Sequence, residues 1–183
     1  MLIQTSDVRP FLRVSPPPSF NDKLFRWVWG LVEVTLFGLS PVPFHGWRRF
    51  LLRLFGARIA SGAHIYPSTR IWAPWNIEMA DGSCLGPRVH CYSATLVSLG
   101  KGAIVSQGAH LCAATHDLRE PDFPLVVGEI RIGDEAWVCA DAFVGPGVTI
   151  GGRAVAGARA VVTKDVEPGM VVAGNPARTV SAR

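Results

Sequence analysis

Between Ile132 and Val166 the apolar positions follow a period that fits neither an α-helix nor a simple strand. Aliphatic residues recur every six positions, at Ile132, Val138, Val144, Ile150, Ala156 and Val162. Four residues after each comes a second apolar side chain: Ala136, Ala142, Val148, Ala154, Ala160 and Val166. Glycine follows four of the ladder residues, at Gly133, Gly145, Gly151 and Gly157. This repeat predicts a hexapeptide parallel β-helix, in which three hexads close one triangular coil of about 18 residues. The aliphatic residue and its partner four positions on fill the prism, while the residue five positions on points outward at a corner.

The ladder extends back to Ile59. Coil one holds Ile59, Ile65 and Ile71; coil two Met79, Leu85 and Cys91; coil three Leu99, Val105 and Leu111; coil four Ile132, Val138 and Val144; coil five Ile150, Ala156 and Val162. The fold class is therefore an all-β solenoid of about five coils. Between coils one and two, and again between two and three, the spacing stretches from six to eight residues, a two-residue insertion at a corner. Among the early partner positions only Trp75 is too large for the interior, and the adjoining insertion is expected to turn it out. From Leu111 to Ile132 the interval is 21 residues, which inserts 15 at one corner. The resulting loop, residues 113–129, is polar and proline-containing, and so long an excursion from a regular solenoid marks a functional segment.

Upstream, residues 1–20 end in Pro16, Pro17 and Pro18 and predict an extended arm. Ser19 or Asn21 can cap a helix starting near Asp22, along which Phe25, Val28, Leu31, Val32, Thr35 and Leu36 keep a helical spacing as far as Leu39. Pro41 and Pro43 interrupt it, and a second helix is expected from Phe44 to Phe55, stopped by Gly56. The second helix has an apolar side (Phe44, Trp47, Phe50, Leu51, Leu54) and basic residues Arg48, Arg49 and Arg53. Two compatible readings follow. The helices cover the open end of the first coil, whose strand edge and interior would otherwise be exposed, or residues 24–55 make a peripheral membrane contact, with Trp27, Trp29 and Trp47 at the interface. The chain thus divides into an arm (1–20), a helical segment (21–56), the β-helix (57–167, with its loop at 113–129) and a tail (168–183).

A formal charge of +4 suits an anionic ligand, but the basic residues form no run of four or more, so nucleic acid is not expected as a partner. Cys84, Cys91, Cys112 and Cys139 show neither a CxxC pair nor a disulfide-like spacing, which reads as reduced thiols in a cytoplasmic protein. No secretory signal is expected from the N-terminal sequence. The strongest candidate for chemistry is His116, five residues after Leu111, at an outward corner where the long loop departs. Imidazole is suited to accept a hydroxyl proton near neutral pH, and Asp117 or Asp122 can orient it.

These residues carry a resemblance. The 18-residue coils, ATHD at the start of the loop, EAWVCADAFVGPGVTIGGRAVAGARAVVTKDV and the closing AGNPAR resemble the hexapeptide-repeat acyltransferases, left-handed β-helix trimers that use acetyl-CoA. Within that family RIWAPWNIEMADGSCLGP, CYS, DFPLV and the LLRLFGA before the first coil are most similar to the colanic acid biosynthesis acetyltransferases. The resemblance spans roughly residues 20–180. It implies a general base at His116, an aromatic against the pantetheine arm at Trp137, phosphate-end contacts at Thr163 and Lys164, and a further phosphate partner at Arg178. It also implies acceptor contacts at Tyr92, Ser93 and Asp117, no covalent acyl-enzyme, no metal, and a saccharide acceptor, free or lipid-linked, at the inner face of the membrane. His90 departs from the acidic residue expected in the colanic acid subgroup.

Corner arithmetic adds a constraint. His116 lies at the corner after the third face and Trp137 at the corner after the first, separated by a strand of about five residues, roughly 15 Å. A single site is then expected to form between two subunits of a homotrimer. Two other readings stand beside this one: a zinc carbonic anhydrase of related fold, using His90, His110 and His116 across an interface, and a non-catalytic scaffold docked to membrane through its N-terminal helices.

Overall fold

The computed structural model describes residues 12–16 and 19–183. The six-residue ladder winds into a parallel β-prism with three faces. The first face stacks Arg58–Ile59, Ile77–Met79, Val97–Leu99, Ile130–Ile132 and Thr149–Ile150, ending in a bridge from Ile150 to Val166. The second stacks His64–Ile65, Cys84–Leu85, Ile104–Val105, Trp137–Val138, Val155–Ala156 and Met170–Ala173. The third stacks Arg70–Ile71, His90–Tyr92, His110–Cys112, Phe143–Val144 and Val161–Val162. Every ladder residue sits opposite its counterpart one coil on, and all are 6% exposed or less. Five coils are complete, and Val166 and Val172 carry the chain into part of a sixth, one step further than the hexads indicate. The tail then turns back as Arg178–Ala182, antiparallel to Met170–Ala173.

Partner positions are mostly alanine because each lies near a narrow corner of the prism; Ala63, Ala103, Ala109, Ala136, Ala142, Ala154 and Ala160 are all fully buried. Two interior hydroxyls are satisfied locally: Thr69 donates to the carbonyls of Leu85 and Gly86, and Ser83 to that of Ala80. Trp75 does turn outward, stacking on Phe25 with ring centroids 5.1 Å apart. At the corner between the first and second faces the coils approach so closely that a Cβ on Gly133 would lie 2.6 Å from the Gly152 nitrogen, and one on Gly151 2.4 Å from the Pro168 nitrogen. Only glycine leaves room there.

The N-terminal helices run from Phe20 to Val32 (α1) and from His45 to Leu54 (α2), with a π-helical turn over Glu33–Phe37 between them. Ser19 caps α1 in a reciprocal box with Asp22, and Gly56, with φ +87°, follows α2. Coil one pairs with coil two through alternate residues, which leaves the peptide groups of Ile59, Ala63, Ile65 and Ile71 facing the open end. Each finds a side chain from the helices. Arg53 donates to the Ile59 carbonyl through Nε at 2.9 Å, Arg49 to Ala63 at 2.8 Å, Arg48 Nε to Ile65 at 2.6 Å and Trp29 Nε1 to Ile71 at 2.7 Å. Glu33 accepts the Ile71 N–H at 2.6 Å.

The cap therefore presents hydrogen-bond donors to the prism beside a small buried apolar set. Trp29, Phe37, Leu51 and Leu52 are buried beneath it, whereas Phe25, Val28, Leu31 and Leu36 of the helical pattern stay 36–57% exposed. Arg48 is completely buried, with no carboxylate partner among the described residues; its guanidinium also donates to Ser40 Oγ and to the Pro41 and Val42 carbonyls. Arg48→Met is expected to orphan those acceptors and to lower stability by about 2–4 kcal/mol, measured by urea unfolding, while Lys23→Ala on the exposed side should change it by less than about 0.5 kcal/mol.

Candidate active site

All three insertions leave the prism at the same corner, between the third face and the first. Coil one extends there through the turn Pro74–Asn76, coil two through residues 93–96 and coil three through the long loop. Coil four has no insertion, and coil five reaches the first face two residues early, at Val166. The corner is thus built up over three coils and cut back over the last two, with His116 at the step.

The loop opens as a strand, Ala114–His116, paired antiparallel with Leu125–Val127 so that His116 lies opposite Leu125. A third strand comes from the N-terminal arm. Arg13–Val14 pairs with Val126–Val127, the Ser15 N–H donates to the Leu125 carbonyl at 2.8 Å, and Arg13 meets Glu129 at 3.6 Å. Nothing in the spacing of the sequence links residue 13 to residue 127, so this brace was not foreseen.

The His116 imidazole is exposed, and its Nδ1 lies 2.6 Å from the Phe123 carbonyl oxygen. A carbonyl can only accept, so Nδ1 carries the hydrogen and Nε2 keeps a lone pair. Phe123 has φ +45°, a conformation that an aromatic residue rarely adopts and that the ribbon imposes. The expected orienting carboxylate is replaced by this carbonyl. Asp117 instead binds Arg119, accepting from its backbone N–H at 3.0 Å and from Nε and NH2 at 3.1 Å, and those bonds hold the Asp117 carboxyl below its usual range.

The remaining candidates fall into two sets. Tyr92 ends the third-face strand of coil two beside Cys112, and packs on Trp72 with centroids 5.3 Å apart. Thr163 and the exposed Lys164 follow Val162, on the same corner as His116 two coils further on. Trp137 belongs to the second face, 44% exposed between Ile104 and Val155, its Nε1 donating to Ser106 Oγ at 2.8 Å. Arg178 opens the return strand of that same sheet, its guanidinium donating to the Ala177 carbonyl at 3.0 Å. Ser93 is in neither set: it is fully buried, and its hydroxyl bridges the N–H and carbonyl of Ala73, both at 3.0 Å. One chain therefore carries a histidine edge and a tryptophan sheet on different sides of the prism.

No family model matches the chain. It is 38% identical to the colanic acid biosynthesis acetyltransferase WcaF of Escherichia coli over 156 residues, 85% of this chain and 86% of that protein. The chain belongs to the hexapeptide-repeat acyltransferase family. Its fold matches that of a hexapeptide-repeat acetyltransferase from Vibrio cholerae solved with acetyl-coenzyme A, with a TM-score of 0.78 and 24% identity over 90% of each chain. It likewise matches a galactoside acetyltransferase solved with coenzyme A, with a TM-score of 0.77 and 22% identity over 93% of this chain and 86% of that one.

In this acyltransferase the thiols are poorly suited to nucleophilic attack. Burial raises the pKa of Cys84, Cys112 and Cys139, and pushes Cys91 up to about 12. Cys112→Ala should leave turnover at the wild-type level, and iodoacetamide should not inactivate the protein; rapid inactivation protected by substrate would restore a cysteine to the chemistry. His90 and His110 do stack on adjacent coils, with centroids 4.6 Å apart, but among the described residues no three potential ligands cluster to hold a metal.

Burial and the neighbouring His90 lower the pKa of His110, and burial, followed by the charge of Arg48, lowers that of His45. A histidine that resists protonation in the fold contributes stability above its ordinary value of 6.5, which is lost as pH falls through the lowered native value. The melting temperature is expected to drop on acidification below about pH 6.5, and His110→Phe, beside Phe143, to reduce that drop.

Proposed function

We propose that this acyltransferase moves an acetyl group from acetyl-CoA to a hydroxyl of a saccharide during exopolysaccharide assembly, each site being shared by two subunits of a homotrimer. The observation that carries the reading is the single tautomer enforced on His116, with Nδ1–H bound to the Phe123 carbonyl and Nε2 left as the base. The acceptor hydroxyl gives its proton to Nε2 as its oxygen attacks the thioester carbonyl carbon. The carbon–sulfur bond then breaks, and the imidazolium returns the proton to the departing CoA sulfur. Asp117, committed to Arg119, and Tyr92 line the acceptor side of the step; Thr163 and Lys164 lie on the cut-back side, where a CoA chain has room to run. The saccharide and exopolysaccharide parts of the reading rest on the similarity to the colanic acid acetyltransferase and on the likeness to the galactoside acetyltransferase.

The outward side chains of the three faces support a trimer. Those of the first face, Arg58, Glu78, Ser98, Arg131 and Thr149, suit water. After His64 and Arg70 in coil one, the second presents Cys84, Ile104, Trp137 and Val155, and the third His90, His110, Phe143 and Val161. Packing the second face of one subunit near the third of the next brings Trp137 and Arg178 towards the neighbour's His116, Thr163 and Lys164. The reading places the protein in the cytoplasm, where the acyl donor is supplied.

His116→Ala is expected to lower turnover roughly 100- to 10,000-fold with acetyl-CoA binding retained, measured as release of free CoA against sugars, nucleotide sugars and lipid-linked oligosaccharides. Mixed His116→Ala and Trp137→Ala subunits should recover part of the activity, because some interfaces then hold both intact residues. Complete failure to complement, or a fully active monomer, would exclude the shared site.

A further inference from the structure

Among the described residues, twenty-one large apolar side chains are exposed, and fourteen of them lie between Phe20 and Leu54. They are concentrated on the helical cap. Leu24, Trp27 and Leu31 line α1 on the side away from the buried Trp29, and Trp47, Phe50 and Leu54 line α2 on the side away from the buried Arg48 and Leu52. Leu36, Leu39 and Phe44, with Trp47 and Phe50 of α2, line a groove of about 860 Å³, where Trp47 Nε1 donates to the Leu36 carbonyl at 2.9 Å. Because the opposite side of each helix is anchored on the edge of coil one, the prism cannot cover this surface. An apolar surface of this extent marks a docking site.

Charge selects the occupant. Residues 19–58 contain six basic side chains (Lys23, Arg26, Arg48, Arg49, Arg53 and Arg58) and two acidic ones (Asp22 and Glu33), a formal +4 that equals the net charge of the whole chain. Asp22 is held in the helix cap and Glu33 on the Ile71 N–H, while Arg48, Arg49 and Arg53 are turned to carbonyls of coil one and Arg58 meets Glu78. The three carbonyl-bound guanidiniums have no carboxylate partner among the described residues, so this end of the molecule keeps a positive excess, with Lys23 exposed on α1. Two copies pairing through this surface would bring like charges together, whereas an anionic lipid surface would neutralise them. No helix among the described residues is long and apolar enough to cross a membrane. Short helices with one apolar, tryptophan-bearing face and a cationic surround lie in the plane of a bilayer interface. We infer that the helical cap docks this protein on anionic membrane lipid through the exposed faces of α1 and α2.

The test is independent of acyl transfer. The full-length protein is sedimented with vesicles of phosphatidylcholine containing about one third phosphatidylglycerol, and with vesicles of phosphatidylcholine alone. It should bind the anionic vesicles and lose most of that binding in high salt, with a blue shift of tryptophan emission on binding. The double substitution Leu31→Glu, Phe50→Glu should reduce binding at least about tenfold, and Lys23→Glu about fivefold, with melting temperatures close to wild type. Lys23 is exposed, so its substitution still tests the inference if the double variant misfolds. Equal binding to both vesicle types, no binding to either, or unaltered binding by the folded variants would overturn the inference. So would a sedimentation-velocity result in which the double substitution splits an assembly, since the face would then be buried between copies.

Discussion

A parallel β-prism propagates easily and terminates with difficulty. Each coil satisfies the polar edge of the one before it, and the first coil has nothing before it. In this protein the exposed peptide groups of Ile59, Ala63, Ile65 and Ile71 are paired with Arg53, Arg49, Arg48, Trp29 and Glu33. That requirement sets the orientation of both helices. A carbonyl buried without a partner is destabilising, so the basic and indole donors face the prism beside Phe37, Leu51 and Leu52, and much of the remaining aliphatic surface faces out. The distribution of charge and apolar surface at this end of the molecule follows from that one constraint.

At the other functional region the constraint is register. Because the ladder residues stack without slippage, any insertion must leave at a corner, and all three leave at the same one. The accumulated turns raise one side of that corner, and the shorter final coils lower the other. His116 sits at the step on a ribbon that the solenoid alone does not stabilise. The ribbon is braced by Arg13–Val14 from the arm, and the Phe123 carbonyl selects the imidazole tautomer. A segment distant in sequence thus helps to hold the His116 ring.

Much of this was legible in the chain. The six-residue period placed every ladder residue on its face, because a solenoid coil is a local structure whose interior positions repeat with the chain itself. The outward turn of Trp75, the two helices and their glycine stop were legible for the same reason: caps, breakers and volumes act over a few residues. The resemblance to hexapeptide-repeat acyltransferases, carried by the ATHD loop and the AGNPAR tail, agreed with the 38% identity to a family member.

Other features depended on contacts between distant segments. Ser93 reads as an acceptor contact from its place at an insertion, yet its hydroxyl is consumed by Ala73, twenty residues away. Asp117 or Asp122 reads as the carboxylate that orients His116, but Arg119 takes Asp117, and it is the carbonyl of Phe123 that meets the imidazole. The helical spacing of Phe25, Val28, Leu31 and Leu36 says that one face is apolar and not which face is covered. By itself the sequence determined the prism, its coil boundaries, the position of its interruption and the place of His116 beside it, because repeats and corners are set by local spacing. Only the tertiary structure decided the tautomer of that histidine, the brace on its loop and the exposure of the cap, because each rests on which backbone polar groups remain unpaired once the coils have stacked.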